Sequence, residues 1–367
     1  MFVEIDDKDP SKIRVSQTEW KDTELLKALP TAHWDRSTGN WIYNLSWQMY
    51  LALQSDFPGR LEFGPKFTEW LNNEYANKIK PAMDMREVID APGYERLFPH
   101  QRGAVQFLST IERGILADGL GSGKSQSAFS TVRALFERKG INPFPALIVC
   151  PNSTKYSWAR EIEEVWPGLK VAVVDGTVTK RRKIFKEKNH VYIINFESVR
   201  THSRLAPFGS VALKKCEEHG GLDPKVTAAK CEAHAKELNE IDFNTVIVDE
   251  AHRIKDPASK VSRAIKAATG NARFRFALTG TPIASAPDDL FSILNWLFPH
   301  AYPSKNKYLD RFCQTHYDAW GSAIVSGIKP SAQKEFFAGL DPFLRRMPKE
   351  IILPFLPPVL RSRRDVE

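Results

Sequence analysis

The run GILADGLGSGKS, from Gly114 to Ser125, constrains what this 367-residue chain can fold into more than any other feature. It reads as a short buried strand at Ile115 to Ala117, then a turn carrying Gly119, Gly121 and Gly123. A helix opens at Lys124 and Ser125 and continues through QSAFSTVRALFERK. Glycines let successive backbone N–H groups converge on one point, and a helix N-terminus adds partial positive charge, so such a turn cradles phosphate. Lys124 is then placed to reach the β and γ phosphates of a nucleotide, and the Ser125 hydroxyl to complete a magnesium shell. Asp118 stands where the usual pattern has the first of its two spaced glycines.

A second motif, NTVIVDEAHRIKD, places Asp249 and Glu250 directly after the apolar run Val246 to Val248. Carboxylates at the C-terminal end of a buried parallel strand lie where open α/β sheets bind ligands. Asp249 is placed to hold magnesium, and Glu250 to polarise a water attacking the γ-phosphoryl group. The runs ALIVC, KVAVV, VYIIN, TVIVD and FRFAL alternate with helical patterns. Because they are apolar without interruption, both faces of each strand are buried, which predicts an α/β fold with a parallel sheet covered by helices.

With these residues in place, the chain resembles the Swi/Snf-type DNA translocases of helicase superfamily two over about Leu97 to Pro358. Six blocks occur in the family's order: LFPHQRGAVQFL, ADGLGSGKS, ALIVCPNSTKYSWARE, VYIINFESVR, DEAHRIK, and FALTGTPI with its tail DDLFSILNWLFP. The resemblance implies a RecA-like P-loop lobe that binds ATP and magnesium, with Lys124, Asp249 and Glu250 carrying the chemistry. It further implies that Gln101 reads adenine and that Thr279, Gly280 and Thr281 link the nucleotide to the DNA face. Pro151, Asn152, Ser153, the Gly176 to Arg181 stretch, Asn195 and Phe196 are implied to contact the DNA backbone. Departures from the family pattern are Gly119 in place of an acidic residue, Ser125 in place of threonine, and Ala284, Ser285 and Ala286 in place of a Gln-Asn-Asn stretch. Family members close two lobes on ATP, the second supplying arginines for transition-state charge. No such lobe fits after DPFLRRMPKEIILPFLPPV, so the expectation is a first lobe, residues 92–359, needing a second in cis or trans.

A net charge of +8 suits a polyanionic partner. Basic residues cluster at Lys180, Arg181, Arg182, Lys183, Lys186 and Lys188, and again at Arg345, Arg346, Arg361, Arg363 and Arg364, the last three in a basic tail at 360–367. Each cluster is read either as a DNA-facing patch or as a solvated charged face. Four cysteines without regular spacing give no disulfide framework. No apolar run approaches a membrane span and the N-terminus lacks a signal-peptide pattern, so a cytoplasmic location, or a nuclear one in a eukaryote, is expected.

Residues 1–91 read as a separate small α+β unit holding five of the nine tryptophans: Trp20, Trp34, Trp41, Trp47 and Trp70. Two strands flank the turn Ser37 to Asn40, followed by the helix QMYLALQSDF. This unit resembles the HARP-type domain that precedes the motor in annealing helicases. Its tryptophans are read as small-domain core or as stacking surfaces for unpaired bases. An insertion at about 203–239 holds two C-x2-H pairs, Cys216 with His219 and Cys231 with His234. They suit one tetrahedral zinc, or else fall by chance on a helical hairpin. Two other functions stay open: a non-hydrolysing DNA-binding or recruitment module, and a motor subunit of a restriction or repair complex.

Overall fold

The structure, a computed structural model, describes residues 1–206, 231–232, 234–280, 287–317 and 323–352. The N-terminal unit contains β1 (Phe2–Ile5), β2 (Lys12–Ser16), α1 (Thr23–Ala28), β3 (His33–Asp35), β4 (Asn40–Asn44), α2 (Trp47–Asp56), β5 (Glu62–Phe63) and α3 (Pro65–Glu74). A π-helical turn, Tyr75–Ile79, leads into α4 (Lys80–Arg86). The strands form one sheet in the order β3-β4-β2-β1-β5, with only β1 and β5 parallel.

The β3–β4 hairpin forms where the sequence places it. The Asp35 carboxylate accepts from the Ser37 N–H and from the Ser37 and Thr38 hydroxyls, and Gly39 supplies the φ of +66° that turns the chain. Ser46 caps α2, its hydroxyl accepting from the Met49 N–H at 3.1 Å. The tryptophans differ in burial. Trp41 is buried with Val3, Ile13, Val15 and Phe57, whereas Trp20 is 91% exposed.

The larger unit follows as α5 (Pro99–Thr110), β6 (Arg113–Leu116), α6 (Lys124–Lys139), β7 (Ala146–Cys150), α7 (Lys155–Val165), β8 (Val171–Val173), α8 (Val178–Lys186), β9 (Val191–Asn195) and α9 (Phe196–His202). Beyond the insertion come β10 (Thr245–Val248), α10 (Lys260–Thr269), β11 (Phe274–Leu278), α11 (Phe291–Leu297), α12 (Lys305–Phe312), the antiparallel pair β12 (Cys313–Tyr317) and β13 (Ala323–Ile328), α13 (Gln333–Leu340), β14 (Leu344–Arg345) and α14 (Lys349–Ile352). Seven strands, all parallel, lie in the order β14-β6-β11-β10-β7-β9-β8.

The uninterrupted apolar runs are explained by burial on both faces. Ile115, Leu147, Val149, Ile194, Val246, Val248 and Ala277 pack on one side against α11 residues such as Leu294 and Trp296. Their alternate neighbours Leu116, Ile148, Ile193, Ile247, Phe276 and Leu278 pack on the other, against Phe107, Phe129, Trp158 and Ile162. Ala82 of α4 belongs to this second cluster, so α4 packs with the parallel-sheet unit although it falls inside the 1–91 stretch.

The two units are joined by side chains of α12 and α13. The Arg311 guanidinium bridges Asp56 of α2 at 3.0 Å and Glu335 of α13 at 2.6 Å. Trp47 donates its indole N–H to the Ala338 carbonyl, Gln48 donates to the Gly339 carbonyl, and Lys307 donates to the Leu29 carbonyl. Arg311→Ala would leave two carboxylates facing each other in a largely buried seam. We expect it to destabilise the chain by about 3–5 kcal/mol, read from urea unfolding, whereas a loss below about 1 kcal/mol would mean the triad behaves as an exposed pair.

Candidate functional site

Because the large sheet is wholly parallel, the turns after β6, β7, β8, β9, β10 and β11 all emerge along one edge. These turns carry the residues singled out in the sequence. After Leu116 the chain enters the glycine turn, where Gly121 and Gly123 adopt φ of +80° and +73°. A Cβ on Gly123 would also meet Gln101 Nε2 at 2.1 Å, so a side chain here would strain the backbone and displace Gln101. α6 then starts at Lys124 with its free N–H groups facing the turn.

Lys124 is folded back on its own loop, Nζ donating to the Asp118 carbonyl at 2.9 Å and to the Gly119 carbonyl at 3.2 Å. Burial depresses the ammonium, while the charges of Glu250, Asp118 and Asp249 act against it. An anion at the loop would supply the compensation that two carbonyls give only in part.

Asp118 is not a vacant glycine position. Its carboxylate is buried, accepts from the Met347 N–H at 2.9 Å and lies 3.3 Å from Arg345 Nε. Burial pushes this carboxyl up and the Arg345 guanidinium opposes the shift. Arg345 itself is 0% exposed and also donates to the carbonyls of Val88 and His100. This corrects the reading of Arg345 as part of a surface basic cluster: β14 pairs with β6, turning Arg345 inward and leaving Arg346 exposed. The Ala117 N–H donates to the Arg345 carbonyl and the Gly119 N–H to the Met347 carbonyl, so residues 345–347 form one wall of the turn.

The Asp249 and Glu250 pair follows β10. Asp249 Oδ2 accepts from the Trp158 indole N–H at 3.0 Å and Oδ1 from the Glu250 N–H at 3.0 Å. Burial pushes Asp249 up, and the Trp158 hydrogen bond and Lys124 pull it down. Glu250 holds φ +50°, a left-handed conformation costing a non-glycine residue about 1–2 kcal/mol, and its carboxylate lies 3.3 Å from His252 Nδ1. From α7, Glu161 reaches the same place. Burial raises its carboxyl, and a hydrogen bond from Ser125 lowers it.

Gln101 lies against the turn, 3% exposed, donating through Nε2 to the Ser122 carbonyl and to Gln126 Oε1 and accepting from the Phe98 N–H. Its amide therefore braces the glycine turn. Asn152 and Ser153 are exposed on a short 3-10 turn before α7. Arg181 is half-buried, donating to His202 Nε2 and to the Gly176 carbonyl, whereas Lys180 is exposed. Phe196 is buried with Arg253 stacked 4.6 Å over its ring, and the Asn195 side chain donates to Glu197. Thr279 is buried after β11, and a Cβ on Gly280 would meet Leu120 at 2.7 Å. Thr281, with Ala284 to Ala286, lies outside the described residues, as do Arg361, Arg363 and Arg364.

Cys216 and His219 also lie outside the described residues, while Cys231 is buried. Among the described residues no group of three or more His, Cys, Asp or Glu side chains is arranged to hold a metal ion, and half of the set expected to bind zinc lies outside them. Sequence reasoning missed Trp158, Glu161 and Arg345. The first two stand three apart in YSWARE, the spacing that brings side chains to one helix face.

The sequence profile of the SNF2-related domain matches residues 68–358. The chain belongs to the SNF2-related family. It is 25% identical over 293 residues to a Mycoplasma genitalium protein described as an uncharacterized ATP-dependent helicase, covering 78% of this chain and 25% of that one. It is 27% identical over 271 residues to the DNA annealing helicase and endonuclease ZRANB3 of Bos taurus, covering 73% and 22%. It is 27% identical over 278 residues to an ISWI chromatin-remodeling complex ATPase of Saccharomyces cerevisiae, covering 73% and 21%. The chain thus spans about a quarter or less of the length of these relatives. The Sulfolobus solfataricus SWI2/SNF2 ATPase core solved in complex with dsDNA shares its fold, with a TM-score of 0.51 and 24% identity, over 74% of this chain and 48% of that one. The seven-stranded unit is the RecA-like lobe of an SNF2-related protein.

Removing one partner of the buried Asp118–Arg345 pair leaves an uncompensated charge under the SNF2 glycine turn. Arg345→Ala is therefore expected to lower unfolding free energy by about 3–5 kcal/mol, measured by urea denaturation, and Arg346→Ala by less than about 0.5 kcal/mol. Equal effects from the two would return Arg345 to the surface reading.

Proposed function

We propose that this chain is the ATP-binding motor lobe of an SNF2-type DNA-dependent ATPase or translocase that engages the DNA backbone and needs a second RecA-like lobe for full turnover. The observation that carries this reading is the meeting of Lys124, Asp249, Glu250 and the Gly119–Ser125 turn on the sheet edge that also carries the 151–154 and 176–181 turns. Phosphate would replace the two loop carbonyls now held by Lys124, and the N–H groups opening α6 would point at it. Gln101 holds the turn in shape and lies beside the seat proposed for the adenine base.

The donor set fits magnesium. Ser125 and Asp249 offer hard oxygen ligands, and a buried carboxylate oxygen of Glu161 close by has no hydrogen-bond partner. When bound, magnesium would be held by Ser125 and Asp249 and would neutralise charge developing on the phosphates. Glu250, outside that pair and in a left-handed backbone conformation, would orient and deprotonate the attacking water, with His252 Nδ1 3.3 Å from its carboxylate. Thr279 and Gly280 would carry the state of the nucleotide to the DNA face.

Phosphate-tracking contacts are proposed for Pro151, Asn152, Ser153, Gly176, Arg181, Asn195 and Phe196, the last two through backbone groups because their side chains are engaged inside the lobe. Such contacts carry little sequence information. Residues 1–91 are proposed as a HARP-like accessory unit. No helix among the described residues is long and apolar enough to cross a membrane.

In enzyme assembled with a second lobe, Glu250→Gln should keep ATP binding and lower turnover by roughly 10²–10⁴, as for the loss of a positioned base. Parallel loss of binding would make Glu250 structural. Lys180→Ala should reduce the slope of log affinity for duplex DNA against log salt by about one, and Arg181→Ala by less, because Arg181 already serves His202 and Gly176. A slope unchanged by Lys180→Ala would assign that helix to a solvated face.

A further inference from the structure

α7 touches both halves of the site. Its first turn grips the DNA-facing side. Lys155, almost fully buried, pairs with Asp175 at 3.0 Å, and the Tyr156 hydroxyl donates to the same carboxylate at 2.7 Å. Asp175 also accepts from the Gly176 N–H, so the turn that opens the 176–181 stretch is fastened to α7, as is the 151–154 turn that runs directly into it. One turn further along, Trp158 donates to Asp249 and Glu161 lies within hydrogen-bonding reach of the Ser125 hydroxyl.

We propose that Trp158 and Glu161 are positioning residues for the magnesium ligands Asp249 and Ser125, and that α7 thereby ties the phosphate-tracking turns directly to the metal site. This rests on the ATP-binding reading above. A hydroxyl has one proton and two lone pairs, so when Ser125 Oγ spends a lone pair on a cation its proton must go to an acceptor. Each Asp249 oxygen already accepts one hydrogen bond, from Trp158 and from the Glu250 N–H, and the lone pairs left on them are those a cation would use. Glu161 Oε2 is buried with no partner, and the carboxylate that carries it lies beside Ser125, placed to accept that hydrogen bond. Accepting that hydrogen bond fixes the direction of the lone pair and makes the oxygen a better electron-pair donor to a cation. Trp158 does the equivalent for Asp249, fixing the carboxylate plane with a neutral N–H. A displacement of the 151–154 or 175–176 turns when they meet DNA phosphates moves the same rigid helix, and with it both ligands.

The test is the magnesium dependence of nucleotide binding to the full chain, followed by the fluorescence of an N-methylanthraniloyl ATP analogue. Magnesium is titrated with and without duplex DNA, and nucleotide affinity is measured separately in EDTA. Wild type should show magnesium-dependent binding, with DNA lowering the half-saturating magnesium concentration by at least about fivefold. Glu161→Ala should raise that concentration by roughly 10–100-fold and leave the affinity in EDTA within about twofold. Glu161→Gln, whose amide oxygen can accept the Ser125 proton, should fall between them. Trp158→Phe, which keeps the ring and loses the N–H, should raise the concentration and remove the DNA effect. If wild type shows no magnesium-dependent nucleotide binding, the ATP-binding reading itself fails. If wild type behaves as expected but Glu161→Ala matches it, or loses affinity equally in EDTA, Glu161 does not position the site. An unchanged DNA effect in Trp158→Phe overturns the coupling through α7.

Discussion

Burial of the parallel sheet on both faces is the constraint on which the rest of this lobe depends. Helices cover each face, with Trp296 and Leu294 on one side and Phe107, Phe129 and Trp158 on the other, so the strand faces have no surface left for chemistry. Function is forced to the edge where the strands end. In a sheet without an antiparallel strand, every such turn emerges on the same side. The glycine turn, the Asp249–Glu250 pair and the turns after β7 and β8 are neighbours for this reason, although residues 118 and 249 lie far apart in sequence.

The edge is then made specific by a few buried polar groups. Arg345 and the backbone of Met347 grip Asp118 and the first residues of the glycine turn from one flank. Gln101 and His100 hold Ser122 from another, and Trp158 holds Asp249. Such groups are costly to bury alone and hold geometry when paired. The turn proposed to receive phosphate is therefore shaped by the protein's own contacts, apart from Lys124, which bonds to carbonyls that a phosphate could displace. The N-terminal unit reaches this arrangement indirectly. It docks on α13 through Trp47, Gln48 and Arg311, and α13 leads within a few residues to β14 and Arg345.

Most of the lobe was legible in the sequence because its signals are local. Five apolar runs, a strand–glycine–helix turn and a carboxylate pair after a strand each state their own geometry, and their order identified the SNF2 family before any side chain was placed. What escaped depends on contacts between distant segments. Arg345 and Arg346 look alike as a dipeptide, yet Arg345 is buried where β14 pairs with β6 while Arg346, just past the strand, is exposed, and only that long-range pairing decides which. Trp158 and Glu161 read as helix residues until β10 and the glycine turn are brought beneath them. The tryptophans of the first unit show the same limit, since Trp41 is core on β4 while Trp20 is exposed on a 3-10 turn outside the sheet, a placement that composition does not record. The unusual backbone of Glu250 carries no sequence signature at all.

The central claim is that nucleotide seats on the 118–125 turn of a lobe whose 151–154 and 176–181 turns meet DNA. Backbone hydrogen–deuterium exchange on the full chain tests it most directly, with a non-hydrolysable magnesium–ATP analogue and with duplex DNA added separately. The account predicts that the analogue slows exchange at 118–125, that DNA slows it at 151–154 and 176–181, and that neither alters the β1–β2 strands of the N-terminal sheet. Unchanged exchange at 118–125 under saturating analogue, or DNA protection confined to the N-terminal unit, would contradict it.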